Sequence, residues 1–367
     1  MKLVAVAITV GLLFAPRIAR ACAPAPRLGE EVAIADEEAI IVWDPTTKTE
    51  QFIRRARFDT TGSSFGFLVP TPTRPTLDEV PVSVFAQLAA AIRPRVEVVS
   101  SGISIVPTAL LFEACGLRGV LKSAPPPDDA TAGVTVIQSV AVAGFQATTI
   151  EASDPAAISA WLGEHGFAST PQLTEWLARY VEDKWVITAF VIGDATQSDD
   201  APRSLATSAV RMTFHTERPF YPYREPAKVP MTTTPRVTTA ARMLRVFFLP
   251  HSASPPGTDK NAVGQYRATL GIDRAWGARV VHASTIAAPA ELGIGRDVYA
   301  SVFVDESHPR VATDELYFKP SNLQDDITQV KTIEKPRRIP IPIDVLVVAA
   351  LVVGFAWRRR RLRTSTS

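Results

Sequence analysis

Apolar and polar residues alternate in short runs along most of this chain, and turn residues and prolines separate the runs. Residues 38–43 read as a strand. Asp44, Pro45, Thr46 and Thr47 supply turn chemistry after it, since Asp and Pro both favour tight reversals. Residues 50–58 then alternate with period two, placing Phe52, Arg54, Ala56 and Phe58 on one face. The arginine on that face leaves open which side is buried, because a one-residue slip exchanges the faces. Residues 65–70 form a further short strand, and Pro70, Pro72 and Pro75 keep the following stretch extended. A helix is expected over 82–92, with Val84, Phe85, Leu88 and Ile92 on one side and Pro94 as its stop. Residues 122–133 read as a surface loop, and strands are expected at 134–143 and 146–151, paired about Ala143, Gly144 and Phe145.

The sharpest local signals come next. Asp154 before Pro155 is an N-cap followed by a first-turn proline, Ile158, Trp161 and Leu162 make an apolar stripe, and Gly166 closes the helix. Thr170 and Pro171 repeat the start signal. Leu173, Trp176, Leu177, Tyr180 and Val181 follow at helical spacing. Residues 185–192 read as a buried strand, and strands return at 209–215, 243–250, 278–284 and 298–304. Proline-rich stretches at 219–235 and 250–257 separate some of these, with a subdomain boundary expected near Pro226. No internal repeat is evident. The 30 prolines and 46% apolar content fit many short strands better than a helical bundle. The expected fold class is α+β: mainly antiparallel β-sheet with an inserted helical pair, plus one C-terminal transmembrane helix.

Both ends carry membrane signals. Lys2 and the apolar run to Ala15 lead to Ala19-Arg20-Ala21, a small-x-small cleavage pattern, so residues 1–21 read as a signal peptide. Residues 22–338 would be the extracytoplasmic part. Residues 339–357 would be a single span, about 28 Å as a helix against a hydrocarbon core of about 30 Å. Residues 358–367, with Arg358 to Arg361 and Arg363, would stay cytoplasmic. This places the protein in the plasma (inner) membrane, single-pass, with its body outside. A rival reading makes the C-terminal segment a sorting signal removed after export.

The net charge is +2, but three of the 39 basic residues lie in the leader and five in the tail, leaving 31 against 37 acidic ones between. The body is mildly acidic, which argues against a nucleic-acid partner. The chain's two cysteines are Cys22 and Cys115. In an oxidising compartment a Cys22–Cys115 disulfide is expected, and lipidation of Cys22 stays open beside it.

Motifs for chemistry are thin. The histidines are His165, His215, His251, His282 and His308, and none stands in a metal-ligand pair. Asp305, Glu306, Ser307 and His308, with Asp314 and Glu315 after them, offer hard oxygen ligands for a divalent cation, but the spacing fits a solvated acidic loop better. The paired aspartates at 128–129, 199–200 and 325–326 read as exposed charge. Gly102-Ile103-Ser104 lacks the second glycine of a serine nucleophile elbow, and Gly293-Ile294-Gly295 lacks the third glycine of a dinucleotide loop. Trp161, Trp176, Tyr180 and Trp185 could line a cleft, but their helical spacing suits a core. Tyr221 and Tyr223, in a proline-rich loop, read as a ligand surface. No cofactor is implied.

Several stretches together resemble the DUF2330 proteins, a bacterial family of unknown function. They are the cysteine after the leader, residues 37–44, residues 65–72, Ala160-Trp161-Leu162 with His165-Gly166-Phe167, Tyr180, residues 184–190, 211–214 and 220–224. The resemblance implies an exported envelope protein and supplies no catalytic residues. The leading expectation is therefore a membrane-anchored, non-enzymatic binding or structural module that meets the membrane through its C-terminal helix and an envelope protein or glycan through its body. The alternative is a membrane-tethered hydrolase whose site is assembled from distant residues. Convergence of His215, His282 or His308 with Asp or Ser side chains would favour that alternative.

Overall fold

The computed structural model describes residues 23–62, 64–108, 140–151, 154–192, 203–227, 242–251, 264–295, 297–308 and 310–364. The chain forms two compact units, Met1–Arg93 with Thr135–Gln329, and Pro94–Val134 with Val330–Ser367. The expected boundary near Pro226 is thereby corrected. Tyr223 and Glu225 are buried inside the first unit, so residues 220–225 belong to its core instead of linking two bodies.

In chain order the described elements begin with β1 (Ala23–Pro26), β2 (Val32–Asp44), β3 (Thr49–Thr60), β4 (Phe65–Thr71), β5 (Thr76–Val80) and α1 (Ser83–Ala91). Next are β6 (Arg95–Thr108), β7 (Val140–Val142), β8 (Phe145–Ile150), α2 (Pro155–Glu164), α3 (Pro171–Glu182) and β9 (Val186–Ile192). Then come β10 (Arg203–Ala206), β11 (Ala209–His215), β12 (Phe220–Tyr221), β13 (Met243–Pro250), β14 (Tyr266–Leu270) and β15 (Arg274–Ala275). The last are β16 (Arg279–Ala287), β17 (Asp297–Asp305), β18 (Leu316–Pro320), β19 (Val330–Pro342) and α4 (Ile343–Thr364).

The first unit is built in layers. An eight-stranded sheet runs β16-β17-β13-β2-β3-β11-β5, with β10 also on β3. A five-stranded sheet, β1-β4-β9-β8-β7, and a four-stranded one, β12-β18-β14-β15, pack against its inner face. Alternation along the strands explains how one chain fills three cores. In β2, Ala39, Ile41 and Trp43 enter the central core, while Ile40 and Val42 face the other way. In β13, Val246 and Phe248 point inward and Phe247 and Leu249 outward. The outer core is closed by Val84, Phe85 and Leu88 of α1 and by Leu292 in a short turn. On the far side of the five-stranded sheet, Leu68, Ile187 and Ala189 meet α2 and α3. Sheets buried on both faces need nearly continuous apolar strands, as in Ala39 to Trp43 of β2 and Val246 to Leu249 of β13.

The expected hairpin 38–58 is β2 and β3, closed by the Asp44 carboxylate accepting from the Thr46 N–H at 2.8 Å. The helical pair is also as expected. Asp154 Oδ1 accepts from the Ala156 N–H at 2.9 Å, and Thr170 Oγ1 from that of Leu173 at 3.2 Å. Gly166, with φ of 79°, ends the first helix, and all five stripe residues of the second are buried. At Gly66 an added Cβ would lie 3.3 Å from the Phe190 carbonyl oxygen, so a larger residue at this point of the β4–β9 pairing would need that backbone to give by a few tenths of an ångström. The sheets are mostly antiparallel, but β2 and β13 pair in parallel.

In the second unit β6 and β19 form a parallel ribbon. This corrects the expected C-terminal span. Residues 339–342 complete β19, and α4 starts only at Ile343. Its apolar part ends at Trp357, before Arg358. Among the described residues no helix is long and apolar enough to cross a membrane.

Phe190 is 1% exposed, stacked on Phe67 at 4.9 Å and set edge-on to Phe145 at 5.9 Å. Phe190→Ala is expected to lower stability by about 3–5 kcal/mol in urea unfolding, through lost transfer energy and an uncollapsed cavity.

Candidate functional site

The central core contains charges. Glu37 lies on the same face of β2 as Ala39 and Ile41, just after a bulge at Ile34 and Asp36. Arg54 sits opposite Ala39 on β3, one diagonal step away, with Phe52 and Phe58 on its own face. Its Nε donates to Glu37 Oε1 at 2.6 Å, and both side chains are buried. The parallel register Met243↔Asp36 brings Arg242 to the other side of the carboxylate. There Nη2 donates to Glu37 Oε2 at 2.6 Å and Nη1 to Glu225 Oε1 at 3.2 Å. The chain continues to Arg310, whose Nη2 donates to the Arg242 carbonyl at 3.3 Å and whose Nε lies 3.4 Å from Asp305 Oδ2. Asp305 also accepts from the Tyr223 hydroxyl at 2.7 Å and from the Ser307 N–H at 2.9 Å. Aromatic rings frame the cations: the Arg54 guanidinium is 4.8 Å from the Phe67 ring centre, and that of Arg310 is 5.9 Å from Tyr223.

Three guanidinium groups here face three carboxylates. Burial pushes Glu37 upward, but Arg54 and Arg242, a hydrogen bond from Tyr221 and the charge of Arg310 outweigh it and hold the carboxyl down at about 2. Burial alone would lower Arg242, and Glu37 and Glu225 raise it instead. Asp305 is pushed up by burial, yet the bonds from Ser307 and Tyr223 leave it below the usual carboxylate range.

A second knot ties α3 to the strand-like segment at 220–225. The Tyr180 hydroxyl donates to Glu315 Oε1, the Arg224 N–H to Glu315 Oε2 at 3.1 Å, and Trp176 Nε1 to the Arg224 carbonyl at 3.1 Å. Burial raises Glu315 despite the bond from Tyr180 and the charge of Arg224. Glu50 differs from the other buried acids. It is fully buried, Oε2 accepts from the Phe220 N–H at 3.0 Å, and Oε1 has no hydrogen-bond partner among the described residues. Burial lifts its pKa well above the ordinary value, against the Phe220 bond.

Tyr221 and Tyr223 are 0% and 1% exposed, so the expected ligand surface is corrected. β12 pairs with β18, which draws the proline-rich segment under the sheet. Tyr221 then packs edge-on to Phe52 at 5.8 Å. The acidic loop is corrected too, since Asp305 and Glu315 turn inward, while Glu306 pairs with Arg279 at 2.9 Å and Asp314 with Arg274. Among the described residues no group of three His, Cys, Asp or Glu side chains is placed to hold a metal ion. Cys22 and Cys115 lie outside the described residues, as does the leader. Trp176 and Tyr180 are core residues, and Trp161 and Trp185 are partly buried against the same helical face.

The histidines separate into different settings. His165 is exposed and stacked on Trp161 at 4.0 Å. His215 is exposed, 3.9 Å from Glu217, and His308 is exposed as well. His251 anchors backbone, its N–H donating to the Trp43 carbonyl at 2.7 Å. His282 is buried, with Nε2 2.9 Å from the Ser284 hydroxyl. That pair was not singled out by local sequence. A serine two residues from a histidine within an alternating strand is the signal that could have found it.

The family model for DUF2330, described as an uncharacterized protein conserved in bacteria, matches residues 16–247. No curated protein and no solved structure matches the chain.

Glu37→Gln would leave two or three buried guanidinium groups short of their counter-charge. It is expected to cost about 3–5 kcal/mol in chemical unfolding at pH 7. The folded-state pKa of Glu37 is depressed, so its contribution is present above the unfolded value of 4.5 and lost as pH falls towards 2. Glu50 has the opposite sign. Its folded pKa is raised, so the folded state holds the extra proton and stability declines as pH climbs above 4.5. Glu50→Gln should therefore raise the thermal midpoint at pH 8 and leave it nearly unchanged at pH 4.

Proposed function

The chain belongs to the DUF2330 family of uncharacterised bacterial proteins, and on that premise we propose an exported cell-envelope protein held at a membrane by its C-terminal helix, whose β-sheet body is a binding or structural module. The observation that carries this reading is α4. Leu351, Val352, Val353 and Phe355 are 62–69% exposed, and Trp357 is 59% exposed. At about 100° per residue these positions surround the helix. An ordinary surface helix shows one apolar stripe, so apolar side chains exposed on every side need lipid or protein around them. Arg358 to Arg361 follow directly and suit an anionic headgroup layer. The apolar part is short, so attachment through α4, not a complete crossing by that helix, is the form proposed.

The body supports a holding role in a different way. Its buried charges are matched to one another across β2, β3, β13 and the 222–225 and 305–315 segments, which fixes those elements in one arrangement. The partner on the body side is proposed to be an envelope protein or a glycan. Export through residues 1–21 and a Cys22–Cys115 bridge belong to the same proposal.

The test compares the full chain with a variant lacking residues 345–367, which keeps β19 whole. The full chain should sediment with membranes after a high-salt wash and the shortened one should stay in the supernatant. Equal partition of the two would overturn membrane attachment through α4.

A further inference from the structure

The outer sheet edge carries a polar pair that a binding or structural module does not use. β16 is the terminal strand of the eight-stranded sheet and pairs on one side with β17. Its register breaks between Val280 and His282, a bulge that re-aims the side chains after it. From there His282 pairs with Val302, Ser284 with Ala300 and Ile286 with Val298. His282 and Ser284 therefore share one face, and both are buried, on a face otherwise lined by valine, alanine and isoleucine. Two polar side chains on an apolar face are costly unless they satisfy each other. They do so, with the Ser284 hydroxyl 2.9 Å from His282 Nε2. Ala300, opposite Ser284, presents only a methyl group, so that side chain offers the hydroxyl no hydrogen bond and leaves His282 as its partner.

A third group stands at the open side of β16. Reciprocal backbone bonds between Ala283 and Ile327, at 2.8 and 2.7 Å, pin the 321–329 segment along this edge. That brings up Asp326, which accepts from the Tyr299 hydroxyl at 3.1 Å; the same hydroxyl lies 3.2 Å from the Ala283 carbonyl. Burial lowers the pKa of His282, and the charge of Asp326 acts in the opposite direction. The ring is then neutral near pH 7, able to accept the serine proton at Nε2 with its own proton on Nδ1.

We propose that Ser284 is a nucleophile and His282 its general base, forming a site that takes small activated acyl or phosphonyl esters. The Ser284 oxygen attacks the ester carbonyl carbon while its proton passes to His282 Nε2. The bond from that carbon to the leaving alkoxide breaks, the alkoxide takes the proton from the imidazolium, and an acyl-serine remains. Water then attacks the acyl carbon with the same base and releases the acid and free Ser284. Asp326 favours the imidazolium that forms in both steps. This goes beyond the envelope-module reading and does not depend on membrane attachment.

The test treats the folded full chain with a small alkyl fluorophosphonate and locates the adduct by peptide mass spectrometry. Ser284 should carry the adduct in the wild type and no other serine at a comparable rate. His282→Gln should slow that labelling on the order of 100-fold, the usual weight of a general base, with its unfolding midpoint measured alongside. Ser284→Ala should abolish the adduct, and if that variant does not fold, the wild-type peptide map decides alone. Ser284 unlabelled in folded wild type, or labelled equally fast in a folded His282→Gln variant, would overturn the proposal and leave the module reading untouched.

Discussion

A carboxylate shut away from the solvent surface governs this fold. Glu37 is 1% exposed and bonded to two guanidinium groups. An isolated charge in such a place would cost many kcal/mol, so its partners must arrive together and in register. Each comes from a different part of the chain: Arg54 across the hairpin, Arg242 from the parallel neighbour, Arg310 from the loop beyond Asp305. The positions of β2, β3 and β13 are thus specified by electrostatics as well as by apolar packing. The buried apolar faces already specify the register, and the buried ion pair penalises a slip further, because it would leave a charge facing alanine or phenylalanine.

The aromatic content of the core follows from the same constraint. Arginine side chains are long and flat, and the rings of Phe58, Phe67 and Tyr223 provide faces that tolerate a cation. The segment 220–225 contributes on several sides at once. Its tyrosines fill the core, the Arg224 backbone N–H meets Glu315, and Glu225 takes the second arm of Arg242. A proline-rich stretch is well suited to this, since its extended backbone is fixed in advance and loses little entropy on burial.

Local chemistry made part of this legible from sequence. Caps at Asp154 and Thr170, the stripe from Leu173 to Val181, and the Asp44 turn are encoded within a few residues, and the structure repeats them. What could not be read was long-range. Nothing near Arg242 or Arg310 marks them as buried, because their burial depends on a carboxylate far away in sequence. Arg54 was visible as an oddity on an apolar face, and that oddity was the trace of the ionic core. Tyr221 and Tyr223 misled for the same reason: prolines suggested a surface loop, while the pairing of β12 with β18 is invisible locally. The start of α4 was displaced because β19 draws Ile339 to Pro342 into its pairing with β6, and a hydropathy window does not register strand pairing.

The bond between Arg242 and Glu37 spans 205 positions. A chain made from its N-terminus closes the β2–β3 hairpin early, when Glu37 has Arg54 and no second cation. Until residue 242 emerges, and β13 can slide in beside β2, that inner face stays wet and the sheet's middle stays open. Contacts so distant in sequence slow folding, and the exposed strand edges of the waiting half are sticky. The same carboxylate that fixes the finished register therefore also sets a time order on assembly, with the body unable to lock until most of the chain is present.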